Sequence, residues 1–213
     1  MTPPPKTILI VDDDPLVRQA ISRLLRSEGY AVELFASAEQ FLANPIHPAA
    51  GCALLDLALP KINGLELQKI LRNQNNLLPI VFLSGRADIP DCAAAMKSGA
   101  IDFLTKPVNA EDLLAAIARA LTQGETASTQ HAELQSIETR LQSLTPRERQ
   151  VLHYVVTGHL NKQTAQILGT VEKTIKVHRA RIMEKMQAHS LADLVRMVDR
   201  LGITLQIPPN PLA

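Results

Sequence analysis

The chain is 213 residues long and 46 % hydrophobic, with 22 Lys and Arg against 21 Asp and Glu. It holds no apolar run of roughly 18 residues and no secretory apolar segment behind the short tail "MTPPPK". That argues against a membrane span or an export signal and for a soluble, cytoplasmic chain without membrane partners.

Cys52 and Cys92 have no metal-like spacing, so reduced, packed thiols are expected in place of a disulfide framework. The net charge of +1 becomes informative once divided. Residues 1–122 carry 11 Lys/Arg against 13 Asp/Glu, residues 123–142 carry 1 against 3, and residues 143–201 carry 10 against 5. The basic part also holds His153, His159, His178 and His189. Such asymmetry suggests that only the second part meets nucleic acid, and a merely solvated basic face is the alternative.

"TILIV" (Thr7–Val11) is a short β-rich run, followed by Asp12, Asp13, Asp14 and Pro15. Leu16, Val17, Ala20, Ile21, Leu24 and Leu25 then recur with helical period. "AVELF" from Ala31 alternates as a strand, and Phe41 and Leu42 mark a short helix. The run Ala53, Leu54, Leu55 closes on Asp56, and a helix through Leu65, Leu67, Ile70 and Leu71 follows Pro60 and Gly64. "PIVFLSG" (Pro79–Gly85) and "IDFLTKP" (Ile101–Pro107) are the last strands, followed by helices at Ala93–Met96 and Leu113–Leu121. Five strands alternating with five helices predict a doubly wound, five-stranded parallel sheet of the flavodoxin-like α/β class.

The strands end in polar residues. Asp12 and Asp13 follow the first, Asp56 closes the third, Ser84 the fourth and Lys106 the fifth. In a parallel sheet these ends share one edge. Three carboxylates gathered there repel, so a cation is needed to keep all of them ionised. Mg²⁺ suits, since it binds through one or two carboxylates, keeps waters and accepts phosphate oxygens. Lys106 adds a point charge for an anion and Ser84 a hydroxyl donor. No Gly-rich phosphate loop is present, so nucleotide binding is not indicated.

"VDDD" at Val11–Asp14, Asp56 in "LLDLALP", Ser84 in "FLSG" and Lys106-Pro107 resemble the receiver domain of bacterial two-component response regulators. The resemblance implies that Asp56 takes a phosphoryl group from a sensor histidine kinase as an aspartyl phosphate and slowly loses it again. It implies Mg²⁺ held by Asp13, by Asp12 partly through water, by Asp56 and by the backbone carbonyl of Ala58. Ser84 and Lys106 would meet the phosphoryl oxygens. Phe103 falls at the position of a switch aromatic and fits plain core equally well. Arg86 stands where smaller residues are common and is expected to alter phosphate access or lifetime.

Residues 123–142 read as a connection, with Gly124 as a break. Leu134, Ile137, Leu141 and Leu144 are spaced as on a heptad seam, too briefly to hold a coiled coil alone. Two readings stand: a linker helix docked on its own protein, or an extension of the fifth helix that carries a dimer state onward.

Residues 143–213 predict four helices. Thr145, Pro146 and Glu148 form a capping box, Asn161 caps a short second helix, and Ser190 caps the fourth. The two middle helices, closely joined, outline a helix-turn-helix. Along the third helix Ile175, Ile182 and Met186 share a core face. Lys173, Lys176, Val177, Ala180 and Arg181 spread over the opposite side, a mixture that permits close approach to base edges and thymine methyls. Thr174, His178, Arg179 and Lys162 could add backbone contacts. "LTPRERQVL", "NKQTAQILG", "EKTIKVHRARIMEKM" and "SLADLV" resemble the LuxR-type DNA-binding domain, and the whole chain resembles the FixJ/NarL family, nearer its FixJ branch. Val171 departs from that pattern, which usually has a Ser or Thr cap there; Thr170 could serve instead if the helix began one residue earlier. The tail "QIPPNPLA" is expected to be disordered.

The resemblance implies a transcription factor with a receiver at 1–122, a helical linker at 123–142 and a DNA-binding domain at 143–213. Its implied partners are a sensor histidine kinase, promoter DNA, a second copy upon phosphorylation, and RNA polymerase at the promoter. Two rivals differ in kind: an Mg²⁺-dependent phosphohydrolase with an aspartyl nucleophile, and a binding module indifferent to phosphorylation.

Overall fold

Side chains alternate along a strand, so β1 (Thr7–Val11) sends Leu9 and Val11 to one face of a sheet and Ile8 and Ile10 to the other. All five residues are buried, as a strand covered on both faces requires. The computed structural model describes residues 6–44, 50–85 and 89–202; Arg86 and the tail at 206–213 lie outside the described residues. Within these, β1 is followed by α1 (Pro15–Ser27), β2 (Ala31–Phe35), α2 (Ala38–Ala43), β3 (Ala50–Asp56), α3 (Gly64–Asn73), β4 (Ile80–Ser84), α4 (Ile89–Lys97), β5 (Asp102–Thr105) and α5 (Ala110–Gln142).

The strands pair in parallel in the order β2-β1-β3-β4-β5, the doubly wound sheet that the alternation of elements predicts. Phe41 of α2, Leu67 of α3 and Ala95 of α4 cover one face. Ile21 and Leu25 of α1, with Leu113 and Ile117 of α5, cover the other. Local chemistry sets the helix starts. The Asp14 side chain accepts from the Leu16 N–H (2.8 Å) ahead of Pro15, and Asn63 and Glu66 close a capping box on α3. Every strand therefore delivers its last residue to one edge.

Gly124 does not break α5, which runs uninterrupted for 33 residues. A Cβ there would stand 2.5 Å from Cγ of Pro79. The glycine serves a close helix-to-loop approach, and its helix-breaking tendency is overridden by that packing.

The described residues fall into two compact units, one ending at Ser128 and the other beginning at Thr129. The second contains the last part of α5, then α6 (Pro146–Val156), α7 (Asn161–Ile167), α8 (Glu172–Met186) and α9 (Leu191–Arg200). Ile137, Leu141 and Leu144 are buried with Leu152, Ile175, Ile182 and Leu194 in its single core. Three of the four heptad-spaced residues are thus consumed inside their own unit, while the segment also continues α5.

Thr145 and Glu148 form the expected capping box. Asn161 does not cap α7. It is the first helical residue and its Oδ1 accepts from Arg179 (3.2 Å), while Gln163 Oε1 accepts from the Leu160 N–H at the cap position (2.8 Å). Val171 occupies the cap of α8 with no side-chain acceptor, and α8 starts at Glu172, which leaves Thr170 outside the cap. No helix among the described residues is long and apolar enough to cross a membrane.

Candidate functional site

Asp12, one residue past β1, is fully buried, Asp13 is exposed, and Asp56 at the end of β3 is 4 % exposed. One carboxylate oxygen from each lies within 4.8 Å of the other two. Their repulsion is offset by Lys106, whose Nζ stands 2.6 Å from Oδ2 of Asp12 and 3.2 Å from Oδ1 of Asp56. Asp12 Oδ1 accepts from the Asp14 N–H (2.9 Å), and the Asp12 carbonyl accepts from the Arg18 guanidinium. Arg18 does not figure among the residues expected from the sequence. Its place in the first turn of α1, next to the strand edge, is the signal that marks it.

Burial holds the Asp56 carboxyl above the usual aspartate range, and the charge of Asp12 adds to the rise; the Lys106 ammonium and the Ala58 N–H act against it. For Lys106 burial works against the ammonium, yet its bond to Asp12 and the charge of Asp56 outweigh that and raise its pKa. The Lys106 ammonium, 3.2 Å away, is the one group that serves the buried Asp56 Oδ1 among the described residues, and it serves it as a charge contact. Three carboxylates that each bring an oxygen within 4.8 Å of the others are a donor set suited to a hard cation.

Ser84 ends β4 and is buried; its carbonyl accepts from the Lys106 N–H at 2.7 Å, which ties the ends of β4 and β5 together. The Lys106–Pro107 peptide is cis. Phe103 is half-buried, with its ring centroid 6.3 Å from that of Phe82, and packs on the core facing α3 and α4. Ala58 is exposed in the loop after β3, and its N–H bonds the Asp56 carboxylate. The edge brings together Asp12, Asp13, Asp56 and Lys106, with Ser84 tied to Lys106 by its backbone. It can hold a cation and an anionic group beside a carboxylate nucleophile.

In the second unit Ile175, Ile182 and Met186 of α8 are buried, while Lys173, Lys176, Val177, Ala180 and Arg181 are exposed, as is Lys162 of α7. Thr174 and His178 are half-buried, and Arg179 is engaged by Asn161. Lys176 Nζ lies 3.0 Å from Oε1 of Glu172. A basic, partly apolar helix face of this kind fits a DNA groove.

Comparison with known proteins bears on both units. Residues 8–118 match the family model of the response regulator receiver domain, and residues 142–198 that of bacterial regulatory proteins of the luxR family. The chain is 44 % identical over 199 residues to the response regulator protein TodT of Pseudomonas putida, covering 93 % of this chain and 88 % of TodT. It is 40 % identical over 196 residues to the transcriptional regulatory protein FixJ of Bradyrhizobium diazoefficiens, covering 92 % and 96 % of the two chains. Among solved structures, the response regulator StyR superposes with a TM-score of 0.80 at 41 % identity, over 92 % of this chain and 99 % of StyR.

Proposed function

The chain belongs to the response regulators of the FixJ/NarL type, with a receiver domain and a LuxR-type DNA-binding domain, and from that premise we propose that Asp56 is the phosphoacceptor through which a sensor histidine kinase controls its binding to promoter DNA. The protein is a two-component regulator of transcription, not an enzyme of the ordinary turnover kind. We assign residues 1–122 to the receiver, 123–142 to the linker and 143–213 to DNA binding, and place the protein in the cytoplasm.

In the proposed transfer an Asp56 carboxylate oxygen attacks the phosphorus of a phosphohistidine. The new P–O bond forms as the P–N bond breaks, and the imidazole leaves with the electron pair and is protonated from solvent. Mg²⁺, held by Asp13, Asp56, the Ala58 carbonyl and Asp12 partly through water, would neutralise charge on the phosphoryl oxygens when bound. Lys106 would turn from Asp12 towards the phosphoryl group, Ser84 would donate its hydroxyl, and Phe103 would move with the α4, β5 and α5 surface. Dimers would then set two α8 helices in major grooves about one helical turn apart, using Lys162, Lys173, Thr174, Lys176, Val177, His178, Ala180 and Arg181, with RNA polymerase as the further contact at the promoter.

The reading rests above all on the three carboxylates within 4.8 Å of one another, with the Lys106 ammonium against two of them. Gel-shift titration of promoter DNA with the full chain tests it. Acetyl phosphate with Mg²⁺ is expected to tighten binding; equal affinity with and without it rejects phosphorylation control.

A further inference from the structure

Between Asn161 and Met183 the sequence holds five Lys and Arg residues and a single acid, Glu172. That acid is the first residue of α8, the end of a recognition helix that addresses base edges. A carboxylate at this place is repelled by phosphates and weakens the general attraction of the basic face for DNA. In free protein it gains from the uncapped start of α8 and from Lys176; in the groove its favourable partner is a base that offers it a donor.

In the major groove that donor is the N4 amino group of cytosine, while guanine O6 and N7 accept from lysine. Within one C·G pair the cytosine amino group and guanine O6 lie side by side, because they are hydrogen-bonded to each other. Glu172 and Lys176 are likewise side by side, with Oε1 and Nζ 3.0 Å apart and side chains 46 % and 64 % exposed. An acceptor next to a donor on the helix matches a donor next to an acceptor on the base pair. The ion pair is solvent-exposed and one helical turn apart, so it holds the two groups in register in free protein and exchanges readily for base contacts.

We propose that Glu172 and Lys176 act as one unit that reads a C·G base pair in each half-site, Glu172 accepting from the cytosine amino group and Lys176 donating to guanine. This rests on the reading of α8 as the DNA-reading helix. Glu172 is then a specificity residue, and the cations around it supply affinity.

Selection of sequences from random DNA by the full-length protein, treated with acetyl phosphate and Mg²⁺, tests the proposal. The wild type should prefer cytosine at one position per half-site by roughly 10-fold or more. Glu172→Ala should lose that preference alone, and bind nonspecific DNA more tightly with a salt slope steeper by about one. Glu172→Gln should shift the preference towards adenine, the base that glutamine reads. Unchanged preferences at every position, with only a uniform gain in affinity, would overturn it and leave Glu172 as a charge screen. A wild type that enriches no sequence at all would overturn the DNA-reading assignment itself.

Discussion

The Lys106 ammonium stands closer to Asp12 than to Asp56, at 2.6 Å against 3.2 Å. Asp56, the acid proposed as nucleophile, is therefore the less well served of the two, and burial adds to its discomfort. Asp56→Asn should abolish labelling by acetyl phosphate; unchanged labelling would reject the site. The same variant should be more stable in EDTA. A carboxyl whose folded pKa is raised opposes folding at any pH above that value, and the opposition fades as pH falls. Removing the charge should then raise the melting temperature at neutral pH by a few degrees, on the order of 1 kcal/mol. A lower melting temperature would show that Asp56 is a net support of the fold.

A carboxyl NMR titration in EDTA addresses the electrostatics directly. Asp56 should take up its proton above the usual aspartate range, because desolvation dominates its environment. Lys106→Ala removes the ammonium that opposes protonation, so the midpoint should move further up. A midpoint unmoved by that substitution would mean that the ammonium does not act on Asp56.

Gly64 opens α3 within a tight approach to the site strand. A Cβ at this position would lie 2.4 Å from the backbone oxygen of Asp56 and 2.9 Å from the Phe82 ring. Neither neighbour is a flexible chain end. Gly64→Ala should destabilise the protein by about 1–3 kcal/mol and slow labelling of Asp56 by shifting its backbone. Wild-type urea midpoint and labelling rate together would contradict this.

Glu148 joins two functions in the second unit. Its Oε2 accepts from the Thr145 N–H at 2.9 Å and from Lys185 Nζ at 2.7 Å. Burial alone would raise its pKa, but Lys185 and Thr145 outweigh it and hold it below the usual glutamate value. The associated stability is present above that usual value and disappears as pH falls through the depressed one. Glu148→Ala should cost about 1–3 kcal/mol in urea unfolding at neutral pH, with the difference from wild type shrinking in acid. Glu148→Gln, which keeps a capping acceptor, should fall between the two.

Lys176→Ala should weaken binding to promoter DNA by about tenfold at fixed salt and relax the preference at the guanine it contacts. Equal affinity would remove α8 from the interface.

The acid edge was legible because a parallel sheet converts position in sequence into position in space: a polar residue closing each of several strands has only one place to go. Arg18 was less so, since its bond is to a backbone carbonyl, which carries no residue code. Gly124 and Asn161 misled for a shared reason. Each has a strong local preference, to break a helix or to cap one, and each is overruled by a neighbour distant in sequence, Pro79 for one and Arg179 for the other. The heptad spacing at Leu134 to Leu144 was correct as a pattern and silent about its partner, because a seam that pairs with a second copy and one that packs on its own unit look alike.

That last segment governs how the protein can be taken apart. A fragment cut immediately before Thr145 would leave behind Ile137 and Leu141, part of its own interior, together with Arg140, which donates to the carbonyl of Met186 at the end of α8. A transplantable DNA-reading module, or a chimera with another sensor's input half, must therefore be spliced upstream, near Thr129, within a helix and not at the loop where a boundary would ordinarily be drawn.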